Sequence, residues 1–205
     1  MNNYLGVNVT KRTDGRFKLT QPHLIQQILD GLGFTETTIE KLLPASSTKL
    51  LSRDLEGTTF DDNWYYRAII GKMNFLEKSI RLDIGYATHQ CARFSINPKE
   101  SRGKADKYIG WYLKGTKYKG LIIDPKDYYF DDWVDADHSG DWKFSESEDD
   151  PTTAKSRTGY IITFAKCPIV WHSKLEGEIS LSTTEAEYIS LSDYTRGFIP
   201  LMVII

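Results

Sequence analysis

A change of hydrophobic period near Gly115 constrains this chain more than any other feature. Before it, Tyr66, Ile69, Ile70, Met73 and Leu76 recur at the spacing that gathers apolar groups on one face of a helix. A second helix is expected over 83–94, and Asn97-Pro98 separates it from a third over 101–114. The third would bury Ala105, Tyr108, Ile109, Tyr112 and Leu113. After Gly115 the pattern alternates with period two, giving strand candidates at 118–123, 128–137, 157–166 and 168–174. Lys166-Cys167 falls at the tight turn between the last two. A chain whose helical and extended patterns are segregated in this way belongs to the α+β class.

The ends follow the same logic. Residues 3–9 alternate, Thr13-Asp14-Gly15-Arg16 is a turn, and 17–20 resumes an extended strand, so the start reads as a hairpin. Gln21-Pro22 opens a helix carrying Leu24, Ile25, Ile28, Leu29 and Leu32, which stops near Gly33. Residues 36–60, with Pro44, Ser46, Ser47 and Gly57, read as a loop, and 139–156 as a charged connection. Ser182 stands three residues before Glu185, a capping-box spacing, so a helix begins at about Thr183. Pro200 is expected to kink or stop it.

Net charge is only −2 over 205 residues, so the whole-chain balance calls for no polyanionic partner. The distribution is less even. Residues 98–120 hold seven Lys/Arg against two acids, and 124–150 hold eleven Asp/Glu against two Lys. A nucleic-acid path beside a metal-binding carboxylate site would produce this, and so would two solvated loops of opposite sign. On the third helix Lys104, Lys107, Trp111 and Lys114 fall within roughly 80° of one another. Such a stripe suits a phosphate backbone with a stacked base, or is simply a lysine-rich solvent face. Cys91 and Cys167 are far apart and lack metal-ligand spacing, which fits a reducing intracellular compartment, cytoplasmic or nuclear. The apolar run Phe198–Ile205 is far shorter than the roughly 20 residues of a spanning helix, so no membrane segment is expected.

Two acids differ from the rest. Asp135 closes a strand candidate in Trp133-Val134-Asp135-Ala136-Asp137. Glu187 shares helical spacing with Leu191, Tyr194 and Phe198, which places it on the side expected to face the sheet. A carboxylate there requires compensation by a metal ion or by an Arg/Lys partner. Meeting from a strand and a helix, the pair is suited to Mg²⁺ or to a structural salt bridge. His138 and His172 have no companion at metal-ligand spacing.

The segments YLGVNV, KLTQPHLIQQILDGLGF, YYRAIIGKMNFL, RLDIGYATHQCARFSINP, YLKGT, DADHSGD, SRTGYIITFAKCPIVWHSK and LSTTEAEYISLS follow one another in an order that resembles the polymerase of copia-type LTR retrotransposons. The resemblance covers nearly the whole chain. It implies that 1–60 is the end of a reverse transcriptase palm with the thumb, and 61–117 its helical connection. It implies that 118–205 is an incomplete ribonuclease H-like domain of three antiparallel strands and a helix. Asp135 and Glu187 then match the first two catalytic, Mg²⁺-binding carboxylates, and the implied partners are an RNA–DNA hybrid and the remainder of the polyprotein. The third carboxylate would come from a strand after the helix. Asp193, about 240° round the helix from Glu187, points elsewhere; Asp137 shares the face of Asp135 and Asp141 lies beyond it. Tyr129-Phe130-Asp131-Asp132 imitates the polymerase Y-x-D-D hairpin, but it lies after the connection and is a decoy. Leu82 stands where the family has Pro, and Arg102 where it has His. The implied function is RNA-directed DNA synthesis with hydrolysis of hybrid RNA, with little or no activity in this chain. The alternative is a non-catalytic nucleic-acid-binding relic.

Overall fold

The computed structural model describes residues 2–45, 54–140, 142 and 144–204; Ser46, Ser47 and Asp141 lie outside them. The chain divides into two compact units, Met1–Ile123 and Asp124–Ile205, and is mixed α and β throughout.

In the first unit, β1 (Asn2–Tyr4), β2 (Val7–Lys11), β3 (Phe17–Thr20) and β4 (Leu121–Ile123) form one antiparallel sheet in that order. The strand expected over 3–9 folds back on itself, because Leu5 and Gly6 both take positive φ and make a two-residue turn. The candidate at 118–123 forms only from Leu121, and it pairs with β3 through Leu19 and Leu121. At the β2–β3 turn Asp14 accepts hydrogen bonds from Arg16 and Arg12, and the Arg16 guanidinium foremost holds its carboxyl down at about 2.

The helices are α1 (Pro22–Gly31), α2 (Tyr66–Ser79), α3 (Gly85–Ala92) and α4 (Glu100–Gly115). Ile25, Ile28, Met73, Leu76, Ile84, Ile109 and Leu113 are almost wholly shielded, each contributing about 1.5–3 kcal/mol by leaving water. The face expected on α2 is the buried one. On α4 it is rotated: Arg102, Gly103, Asp106 and Gly110 go inside with Ile109, Tyr112 and Leu113, while Ala105 and Tyr108 are half-buried. The glycines cause this. A Cβ at Gly103 would collide with the Phe60 ring, and one at Gly110 would come within 2.5 Å of Leu32 Cδ1, so the helix seats deeply on this side.

The second unit contains β5 (Trp133–Asp137), the short α5 (Phe144–Ser147), β6 (Arg157–Phe164), β7 (Cys167–Leu175) and α6 (Thr183–Ile204). The strands form an antiparallel sheet in the order β5-β6-β7. The turn between β6 and β7 is Ala165-Lys166, both at positive φ, one residue earlier than expected. The charged 139–156 connection holds α5 and a 3-10 turn at Pro151–Ala154, which the Asp150 side chain caps. α6 runs on through Pro200. That residue is exposed, so the Arg196 carbonyl that loses its donor can turn to water.

Candidate carboxylate site

α6 begins with the anticipated cap: Ser182 Oγ accepts from the Glu185 amide at 3.1 Å, and Glu185 accepts from the Leu181 amide at 2.7 Å. Its sheet-facing side carries Ala186 and Ser190, both fully buried, with Gly197 close to the Tyr160 hydroxyl. Tyr194 meets Tyr160 edge to face, and Phe198 does the same to Phe130. Tyr160 stands across from Val134 in the ladder, so α6 covers the Val134 side of the sheet.

Asp135 lies on the other side. Burial alternates along β5, with Trp133, Asp135 and Asp137 exposed and Val134 and Ala136 half-buried. Glu187 is exposed as well, which corrects the expectation of a carboxylate carried on the buried face. Small residues took the close approach, so the stripe of Glu187, Leu191, Tyr194 and Phe198 runs along the flank of the helix. The two aromatics lean back onto the sheet, while Glu187 and Leu191 remain outside. No buried charge therefore demands a partner there.

What joins the two elements is Ser190. Its hydroxyl donates to the backbone carbonyl of Asp135 at 2.8 Å, one helical turn after Glu187. The strand residue and the helical turn bearing the second carboxylate are thus fixed side by side at β5, an outer strand of the sheet. The donors are right in kind for Mg²⁺ and few in number. Among the described residues no group of three His, Cys, Asp or Glu side chains gathers, so an ion would need oxygens from substrate phosphate or water. His138 Nδ1 instead lies 3.3 Å from Ser156 Oγ, and His172 stacks on Tyr160.

The Y-x-D-D look-alike is committed to packing. Phe130 sits against Phe164 and Phe198, Asp131 pairs with Lys166 at 2.8 Å, and Asp132 accepts from the Thr163 amide and the Tyr194 hydroxyl.

On α4, Lys104 is exposed, whereas the other stripe residues meet groups of the chain itself. Lys107 pairs with Asp62 at 2.5 Å, Lys114 donates to the carbonyls of Glu36 and Thr38, and Trp111 stacks on Phe34. Sequence periodicity located this face but gave no sign that residues 34–41 fold over it.

Comparison with known proteins gives a consistent direction. The chain is 30% identical, over 95% of its length, to the retrovirus-related Pol polyprotein from transposon TNT 1-94 of Nicotiana tabacum. It is 33% identical, over 83%, to that from transposon RE1 of Arabidopsis thaliana. The chain is similar to a segment of retrotransposon Pol polyproteins. It spans 14% and 11% of the length of these two relatives. An uncharacterized mitochondrial protein of Arabidopsis thaliana is 28% identical over 92% of the chain, which spans 73% of it. No protein-family profile matches the chain, and no solved structure does. Among the described residues no helix is long and apolar enough to cross a membrane.

Proposed function

We propose that this segment of a Pol polyprotein runs from the end of a copia-type reverse transcriptase into a ribonuclease H domain. Stretches 1–60, 61–117 and 118–205 are the palm end with thumb, the connection and the ribonuclease H-like part. The chemistry is cleavage of the RNA strand of an RNA–DNA hybrid at Asp135 and Glu187. The bond from Ser190 to the Asp135 carbonyl carries this reading, because it fixes the backbones of the strand and helix that bear the two acids beside each other at the open edge of β5, round which the outward Asp135 side chain and Glu187 would meet. Bound Mg²⁺ would supply charge stabilisation at phosphate oxygens and a more acidic water. Asp135 and Glu187 would offer it oxygen donors, and Ser190 keeps their backbones from separating. With two protein donors, binding is weak and turnover slow. Asp131 and Asp132 are occupied by Lys166, Thr163 and Tyr194, so they provide no polymerase site.

The test is cleavage of a fluorophore-labelled RNA–DNA hybrid by the purified chain in Mg²⁺. Slow cleavage, abolished by Asp135→Asn or Glu187→Gln with unchanged melting, is expected. Robust cleavage insensitive to both substitutions would place the active site elsewhere. Hybrid binding with no cleavage at any Mg²⁺ concentration would favour a non-catalytic nucleic-acid-binding segment.

A further inference from the structure

We propose that two copies of this chain pair through the outer face of α6, the helices running antiparallel about Leu191. Tyr188, Leu191, Ile199 and Met202 stand on that face, all exposed, and Ile179 and Leu181, which lead into the helix, are exposed as well. Apolar groups spread along a helix of 22 residues, about 33 Å at about 1.5 Å per residue, fit another long surface and not a small ligand. The charges beside them decide which surface. About three turns separate Glu185 from Arg196, so the two lie on one flank of this face, within roughly 20° of each other. Leu191 falls next to the midpoint between them.

An antiparallel pair with a two-fold axis sets each flank against the same flank of the second copy. A residue before the midpoint then stands opposite one equally far after it. With the axis beside Leu191, Glu185 of each copy meets Arg196 of the other, twice by symmetry. Glu185 Oε2 accepts from the Leu181 amide, which leaves Oε1 for the guanidinium. Arg196 is exposed and lies 3.6 Å from Asp193 on its own helix, so the contact extends an existing ion pair. Tyr188 falls by Ser192, a small residue beside a hollow of about 440 Å³ that Glu185 and Arg196 also line. Ile199 and Met202 reach Leu181 and Ile179 of the second copy, and Leu181 is 88% exposed in the single chain. A parallel pair would put Glu185 and Arg196 on opposite flanks of the contact, with no counterpart for either charge. One helix face per copy lies at the low end of specific interfaces, so the dimer is weak and forms as concentration rises. The contact is on the side of α6 away from the bond between Ser190 and Asp135, so it does not depend on hybrid cleavage.

The experiment is disulfide trapping of the full chain, with sedimentation velocity to follow association. Leu191→Cys places its thiol next to the axis and should give a covalent dimer on mild oxidation. Ile199→Cys should not, because its two copies lie about 25 Å apart at about 1.5 Å per residue. The native Cys91 and Cys167 are buried and should contribute nothing. Arg196→Glu should raise the dissociation constant of the dimer by a few-fold to about thirtyfold, the effect of losing two exposed ion pairs. Arg196→Lys, which keeps the charge, should leave it nearly unchanged. Equal trapping at both cysteine positions overturns the proposal, as does an Arg196→Glu chain that pairs as tightly as the parent. Association without trapping at Leu191 overturns it too and puts the contact elsewhere, for instance at the open β5 edge. A chain that stays monomeric at the highest concentration reached overturns it and leaves the face to a different partner.

Discussion

Asp106 shows what single residues in this chain conceal. It is wholly buried on α4, beside Tyr66 of α2, Cys91 of α3 and Arg102 one turn earlier. Neither carboxyl oxygen finds a hydrogen-bond partner of normal geometry among the described residues. Burial pushes the carboxyl up to about 8, and only the weak Cys91 thiol opposes the shift. The folded state therefore holds its proton more tightly than the unfolded chain, whose carboxyl titrates near 3.8. The contribution of Asp106 to the stability of the first unit is full below that value. Stability should then fall as pH rises to about 8, by up to about 1.4 kcal/mol per pH unit. Hydrogen exchange in α2, α3 and α4 peptides should accelerate from pH 5 to 8 beyond the intrinsic rate change, and Asp106→Asn should remove that excess. A protection profile flat with pH in the unsubstituted chain would refute it. The period of α4 points to a conventional apolar face because glycine carries no hydrophobic mark of an inward residue. Gly103, Asp106 and Gly110 share one side of the helix, and that spacing was the available sign of deep seating.

At the scale of elements, most helices and strands were legible because each keeps one period over its length. α2 buries the expected residues, and the Ser182–Glu185 cap forms as its spacing required. Turn chemistry was harder to read. Neither Leu5-Gly6 nor Ala165-Lys166 is a common turn pair, yet both reverse the chain at positive φ. Asp135 was legible as a strand residue, although it falls in the middle of β5 and not at its end, whereas the setting of Glu187 was misread, since large apolar residues suggested the wrong side of α6. Ala186, Ser190 and Gly197 are the contact side, and the helix can lie close to the sheet only because they are small. Ser190→Ala should cost about 1 kcal/mol through the lost bond to the Asp135 carbonyl. Ala186→Leu should cost about 1–3 kcal/mol by overfilling the contact. Ser182→Ala should cost about 1 kcal/mol at the cap. Urea unfolding of the three variants measures all of these. An Ala186→Leu chain as stable as the parent would mean that α6 does not approach the sheet on this side.

For the molecule as a whole, the other side of α6 matters most. Tyr188, Leu191, Ile199 and Met202 recur within roughly 80° on the face turned away from the sheet, and all four are exposed. Val203, at 84% exposure, and Ile204 extend the apolar surface to the end of the helix. Large exposed apolar groups spaced this closely, with Thr195 among them, go beyond the scattered exposed side chains of an ordinary soluble surface and favour association. β5, an outer strand, adds an open sheet edge beside the helix. In the transposon relatives the matched stretch is a small part of a much longer polyprotein. Alone, the chain should self-associate. Sedimentation velocity should show a weight-average mass that rises with concentration. Leu191→Lys combined with Met202→Lys should return the chain to a monomer without lowering its melting temperature, because neither side chain contributes to the buried contact. If the unsubstituted chain stays monomeric at high concentration, the exposed face is too weakly apolar to act. If the double variant unfolds, the stripe is part of the fold and not a free surface.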